Sequence, residues 1–305
     1  QLIAGPIINY KDIEQQLSAR TTTLDRFGHG ARRFIFGLAK KVILANNLGV
    51  LYRFVIGLSA SESSVITSWI GIMAYTLQLY FDFSGYSDMA IGLGRMFGFK
   101  FKENFNYPYI SASVTEFWRR WHISLSTWLK DYLYIPLGGN RNFSVASFIF
   151  VGGFLVGSFI MGVELFHLSN LWAALVSAVL LLIFIIPAVI TRKTSGIAAN
   201  FNLLTTMLLG GFWHGASWNF IIWGAIHGVG LGIHKIWMLL TDKSLSSLNQ
   251  SRIYKIISGI LTFHFVCFAW IFFKAEDLEI AKTMIYQIFN NFDISVFGPF
   301  YDNYK

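Results

Sequence analysis

Charged side chains are scarce: they make up 13% of the 305 residues, beside 54% hydrophobic and 17% aromatic residues. A soluble domain carries roughly 25%, so the sequence holds too little charge to wet a globular surface, and a soluble fold with a large core is set aside. A single cysteine, Cys267, lies inside an apolar run and excludes both an intrachain disulfide and a cysteine metal cluster. No His-x-x-x-His or His–Glu pairing is present, so no metal site is predicted. Neither Gly-x-Ser-x-Gly nor a phosphate-cradling P-loop occurs, and Gly92 and Gly94 do not complete a dinucleotide fingerprint because no strand precedes them. Proline is rare, 5 residues against 27 glycines. That balance suits membrane helices packed closely through small residues. With no repeat, low-complexity tract or linker, residues 1–305 read as one domain. The start at Gln1 shows neither Met nor a signal-peptide pattern, and further N-terminal spans are expected ahead of it.

Long apolar runs are abundant. A spanning helix needs about 20 predominantly apolar residues, and candidates fall at 34–58, 65–83, 143–163, 171–190, 201–213, 218–240 and 253–273. The first is interrupted by Lys40, Lys41, Asn46 and Asn47, and the fifth is short. The runs at 143–163 and 171–190 predict a helical hairpin turning between Glu164 and Asn170. The formal net charge of +8 sits between these runs, as in positively charged cytoplasmic loops, and so does not point to nucleic acid. Arg95, Lys100, Lys102, Arg119, Arg120, Lys130 and Arg141 form one basic region. Arg192 and Lys193 form a second, and Lys235, Lys243, Arg252 and Lys255 a third. Placing all three on the cytoplasmic side puts the hairpin turn outside and His214 near the turning point of the 201–240 excursion.

Three stretches carry candidate chemistry. In Tyr80–Gly98 a span ends in an aromatic and acidic cluster, and Ser87 or Asp88 is expected to cap a new short helix stopping near Gly98. Asp82 there costs roughly 2.5–3.5 kcal/mol at a helix centre unless it is paired or wet. It is either a satisfied interfacial carboxylate pairing with an arginine or a secondary polar site. In Glu116–Pro136 the residues Trp118, Trp121, Leu125, Trp128, Leu129 and Tyr132 recur at helical steps, predicting one amphipathic helix at the headgroup level. Arg119 and Arg120 would hold lipid phosphate or an anionic substrate, with His122 packing or facing a reaction centre. In Gly210–Gly228 the residue His214 stands where two apolar stretches meet, flanked by glycines that allow a broken helix. An ionisable residue at such a break is a functional-site candidate, and imidazole, with an ordinary pKa of about 6.5, suits proton transfer near neutrality. The remaining histidines read as structural (His227, His234), core (His264) or loop residues (His29, His167).

Taken together these stretches resemble the membrane-bound O-acyltransferase family, in its branch of bacterial alginate and peptidoglycan O-acetyltransferases. The resemblance lies in residues 1–7 (Gln-Leu-Ile-Ala-Gly-Pro-Ile), Phe83-Ser-Gly-Tyr-Ser-Asp-Met-Ala-Ile-Gly92 and Phe117-Trp-Arg-Arg-Trp-His-Ile-Ser-Leu-Ser126. It continues in Ile135-Pro-Leu-Gly-Gly139 and Phe212-Trp-His-Gly215. It implies an all-α, polytopic transmembrane protein, a ring of tilted helices around a central tunnel, in the cell inner (cytoplasmic) membrane. The family's near-invariant histidine corresponds to His214 and a second important one to His122. The implied donor is an acyl-CoA, acetyl-CoA above all, reached from the cytoplasm. The implied partners are membrane lipids and an extracytoplasmic hydrolase-like transferase that esterifies a polysaccharide acceptor.

On that resemblance His214 is expected to act as general base. His122 would orient it or handle the thiol leaving group, Arg119 and Arg120 would attract the donor phosphates, and Asp82 would be secondary. A covalent acyl-histidine stays open, as do D-alanyl, lipid or protein acyl transfer by the same fold and a non-enzymatic transporter using the break at His214.

Overall fold

A computed structural model describes residues 6–58, 63–142, 144–164, 167–191, 195–241, 251–290 and 292. Residues 1–5 of the opening motif and the bases Arg192, Lys193 and Lys243 lie outside the described residues. The order is α1 (Tyr10–Ser18), α2 (Leu24–Ala39), a π-helical turn (Lys40–Ala45), α3 (Asn46–Ile56), α4 (Val65–Met96), α5 (Val114–Arg120) and α6 (Ile123–Leu129). A second π turn (Lys130–Tyr134) leads to α7 (Val145–Glu164), α8 (Asn170–Thr191), α9 (Ser195–His214), α10 (Trp218–Thr241), α11 (Arg252–Lys274) and α12 (Leu278–Asn290). Among the described residues there is no strand, and the architecture is that of an all-α polytopic membrane protein. Leu24–Ile56, Val145–Glu164 and Arg252–Lys274 are long and apolar enough to cross a bilayer. Helices α4, α9 and α10 have spanning length but are less apolar. Their interiors carry buried polar groups, among them Thr67, Thr76, Asn202, Thr205 and Asn219.

Contacts divide the chain into two compact units that interleave in sequence: residues 1–108, 118–126 and 264–305 form the first, 109–117 and 127–263 the second. In the first, α2 and α4 run antiparallel through a paired glycine contact. A Cβ on Gly37 would lie 2.5 Å from the Gly85 carbonyl oxygen, and one on Gly85 2.7 Å from that of Gly37. Gly30 and Gly92 repeat the arrangement at 2.6 and 2.7 Å, two helical turns away. Backbones this close bring the bases of α2 and the π turn against the acids of α4. Arg33 reaches Asp88 at 2.8 Å and also pairs with Glu103, Lys40 reaches Asp88 at 2.6 Å, and Lys41 reaches Asp82 at 2.5 Å. The lysines that interrupt the first apolar run therefore do not break it, because a π turn absorbs them and hands each an acid. Helix α4 is likewise continuous, capped at Ser64 and Thr67 and closed where Gly98 stands at φ +83°. The expected new helix at Ser87 or Asp88 does not form, since Ser87 is buried mid-helix and Asp88 is engaged by two bases.

Asp88→Asn is expected to cost about 1–3 kcal/mol in thermal unfolding, below the roughly 3–5 kcal/mol for a fully buried pair, because its side chain is 18% exposed. An unchanged melting temperature in detergent would show that the two bases find other partners.

In the second unit α7 and α8 form the predicted hairpin, with α9 and α10 packed against it. Val151, Phe201, Leu204, Leu208 and Ala225 make a buried apolar cluster. Asn202, fully buried, ties the preceding loop down: its Nδ2 donates to the carbonyls of Gly139 and Asn142 at 2.9 Å each, and its Oδ1 accepts from Ser147 Oγ at 2.5 Å. Gly138 and Gly139 make that loop possible at φ +114° and +54°. Tyr134 donates to Asn140 Oδ1 at 2.7 Å, and burial pushes its phenol up to about 12.

Candidate functional site

The stretch Glu116–Pro136, expected as one amphipathic helix, breaks at its histidine. Helix α5 ends at Arg120 and α6 starts at Ile123. Between them His122 sits at φ +42°, in the left-handed region that few residues other than glycine adopt. The cause is the irregular segment 104–106 ahead of Pro108. Asn104 O accepts from Ile123 N and Arg120 O accepts from Asn106 N, both at 2.9 Å, while Arg120 Nη1 donates to Asn106 O at 3.2 Å. These bonds stand in for the intrahelical ladder at the kink. The kink turns His122 inward to 6% exposure, edge-on to Phe83 at 4.7 Å and stacked near Phe105 at 6.3 Å. Its Nδ1 lies 3.2 Å from Asn104 Oδ1. A backbone outlier held by so many bonds is a place where function is to be sought.

The other expected residues of the first unit fall out differently. Asp82 pairs with a lysine, Lys41, and not with an arginine. Its chain neighbour Phe83 is the one that touches His122. Arg119 is exposed, whereas Arg120 is half-buried and tethers Asn106. His29 belongs to α2 and not to a loop; of the glycines beside it, Gly30 serves the helix crossing. His264 is exposed and meets Trp69 edge-on at 5.1 Å, so it is not a core residue. His167 is in a loop, at φ +52°.

In the second unit the expected break is present. His214 is the last residue of α9, and α10 resumes at Trp218. Gly215 N donates to Phe212 O at 3.2 Å, and Ser217 Oγ caps α10 by accepting from Asn219 N at 3.3 Å. The two helices meet backbone to backbone just before the turn: a Cβ on Gly211 would run into Phe220 O and one on Gly224 into Met207 O. The half-buried His214 ring faces Trp223 edge-on at 5.1 Å and Phe220 at 6.1 Å. Trp223 in turn touches His227 at 5.0 Å, and His227, fully buried, stacks on Phe117 at 6.0 Å. The residue read as merely structural is thus one ring beyond His214. His234 bonds Thr115 Oγ1 at 2.9 Å.

Among the described residues no three of His, Cys, Asp and Glu gather as a metal-ligand set. Sequence reasoning missed Asn104 and Ser124. Ser124 was within reach, standing two residues after His122. Asn104 was not, because it acts from 18 residues away.

A family model described as MBOAT, membrane-bound O-acyltransferase family, matches residues 1–184. The probable alginate O-acetylase AlgI of Azotobacter vinelandii is 42% identical over 289 residues, covering 95% of this chain and 46% of the relative. The peptidoglycan O-acetyltransferase of Helicobacter pylori is 36% identical over 288 residues, 93% of this chain and 44% of the relative. The teichoic acid D-alanyltransferase of Bacillus subtilis is 26% identical over 280 residues, 90% and 59% of the two chains. The chain spans about half the length of these curated relatives.

Proposed function

Because this chain belongs to the membrane-bound O-acyltransferase family, we propose that it carries the histidine chemistry of an O-acetyltransferase. The donor is acetyl-CoA on the cytoplasmic side of the inner membrane. The acyl group passes outward to a hydrolase-like transferase that esterifies a polysaccharide of the alginate or peptidoglycan kind. The observation carrying this reading is the 42% identity, over 95% of the chain, to a relative named as an alginate O-acetylase. Likeness to a D-alanyltransferase stands lower, at 26%.

In chemical terms an acceptor hydroxyl oxygen attacks the thioester carbonyl carbon, the C–O bond forms, and the C–S bond breaks. His214 takes the hydroxyl proton, and the sulfur leaves as thiolate, which His122, when protonated, would neutralise by giving up that proton. General-base help of this kind contributes about 10²–10⁴ in rate. Arg119, exposed at the end of α5, is the better placed of the two arginines for the donor phosphates, since Arg120 already tethers Asn106. The ion-paired Asp82 stays secondary, supporting the α2–α4 frame.

Membranes containing the protein and its outer-face partner, given radiolabelled acetyl-CoA in one arm and a D-alanyl carrier protein in the other, test this directly. Donor consumption is expected in the first arm alone. Consumption of the carrier-bound donor alone would move the chain to the D-alanyl reading, and none in either arm would favour a transporter.

A further inference from the structure

We infer that Asn104 is the positioning residue that fixes His122 as its Nδ1–H tautomer, which makes Nε2 the basic atom of the ring. The inference rests on the reading of His122 as a reaction-centre residue.

The argument begins with a backbone group. Ser124 N–H is a donor and nothing else, so the Asn104 side-chain atom 3.0 Å away is the amide oxygen and not the NH₂. A flipped amide would set two donors against each other. The same oxygen accepts the Ser124 hydroxyl at 2.8 Å and lies 3.2 Å from His122 Nδ1. An amide oxygen has no proton to give, so the contact is a hydrogen bond only when Nδ1 carries one. A neutral imidazole has a single N–H, so Nε2 holds the lone pair. The rival arrangement has Ser124 Oγ donating to an unprotonated Nδ1. It is the poorer one, since Oγ is 3.5 Å from Nδ1 and its hydrogen is already directed at Asn104 Oδ1.

Asn104 holds the backbone of the kink as well as the ring. Its carbonyl accepts from Ile123 N at 2.9 Å, so one residue sets both the left-handed turn that aims His122 and the tautomer it adopts. At 1% exposure Asn104 is shielded from bulk water. Phe83, perpendicular to the ring at 4.7 Å, and Phe105, nearly parallel at 6.3 Å, restrain its rotation. In the neutral enzyme His122 therefore receives a proton at Nε2. Once charged, the imidazolium keeps its Nδ1–H on an oxygen dipole already in place.

The test combines a structural and a kinetic readout on the intact protein in bilayers. Solid-state ¹⁵N NMR of histidine-labelled protein, with the His122 signals identified by their loss in His122→Gln, should show Nδ1 protonated and Nε2 bare. Asn104→Ala should lower kcat about 10- to 100-fold, by analogy with the cost of losing a group that orients a metal-bound imidazole, with KM little changed. Asn104→Asp, which keeps an acceptor in place, should restore most of the loss. An Nε2–H tautomer in the unaltered protein overturns the inference whether or not any variant folds. Full activity in Asn104→Ala beside an inactive His122→Gln overturns it alone. Full activity in His122→Gln removes the reading on which it rests.

Discussion

His214→Ala is expected to lower acetyl transfer by about 10²–10⁴-fold, the range for losing a positioned general base, while the protein still inserts and melts close to the unaltered protein. The asymmetry follows from where the side chain sits. His214 ends α9 at a turn whose backbone is held by Gly215, Ser217 and the glycine contacts of Gly211 and Gly224, none of which involves the imidazole. The ring is half-buried against Trp223 and Phe220, so truncation leaves no large enclosed void. His227→Ala provides the contrast. It removes a fully buried ring stacked on Phe117 and packed on Trp223, and should lose about 2–4 kcal/mol of stability as a buried large-to-small change. Parallel measurement of label transfer and detergent melting separates the two. If His214→Ala transfers at the normal rate while well folded, the base must be sought elsewhere. If it melts as badly as His227→Ala, its role is packing.

Gly85→Leu is expected to abolish the folded first unit, or to cost it about 3 kcal/mol or more. Overpacking at a rigid contact typically costs about 1–3 kcal/mol, and here the obstacle is backbone. The atoms facing Gly85 are the carbonyl oxygen of Gly37 at 2.7 Å, Lys40 Cβ at 3.2 Å and Lys41 N at 3.3 Å, none of which a rotamer change moves aside. Separating α2 from α4 would also part Lys40 from Asp88 and Lys41 from Asp82, exposing charges that a bilayer tolerates only when paired. Gly28→Leu, on α2 with nothing within 4 Å of its Cβ position, is the control and should behave as the unaltered protein. Yield of monodisperse protein and its melting temperature decide the matter. Normal values for Gly85→Leu would mean that the helices do not cross at these glycines.

Most helices were legible because each is a run of apolar residues of the right length, and the hairpin of α7 and α8 needed nothing more. Legibility failed where a local signal competed with a distant partner. Ser87 and Asp88 have the chemistry of an N-cap, yet α4 runs through them because Arg33 and Lys40 claim the carboxylate. Lys40 and Lys41 look like breakers until the acids opposite are known. The aromatic period from Trp118 to Tyr132 is helical, but period alone carries no sign of the kink at His122, which is imposed by the segment at Asn104–Asn106.

By itself the sequence determined the membrane character, the helical class, the resemblance to an acyltransferase family and the two histidines on which the proposed chemistry rests. Composition, run length and short motifs are properties of neighbours along the chain. Only the tertiary structure decided what those residues face: that glycines on α2 and α4 meet in pairs, that Asp82 is a lysine's counter-ion, and that a buried asparagine lies against Nδ1 of His122. Each of these is a contact between residues far apart in sequence, and hydrogen-bond direction and steric exclusion act only once folding has brought the partners within a few ångströms.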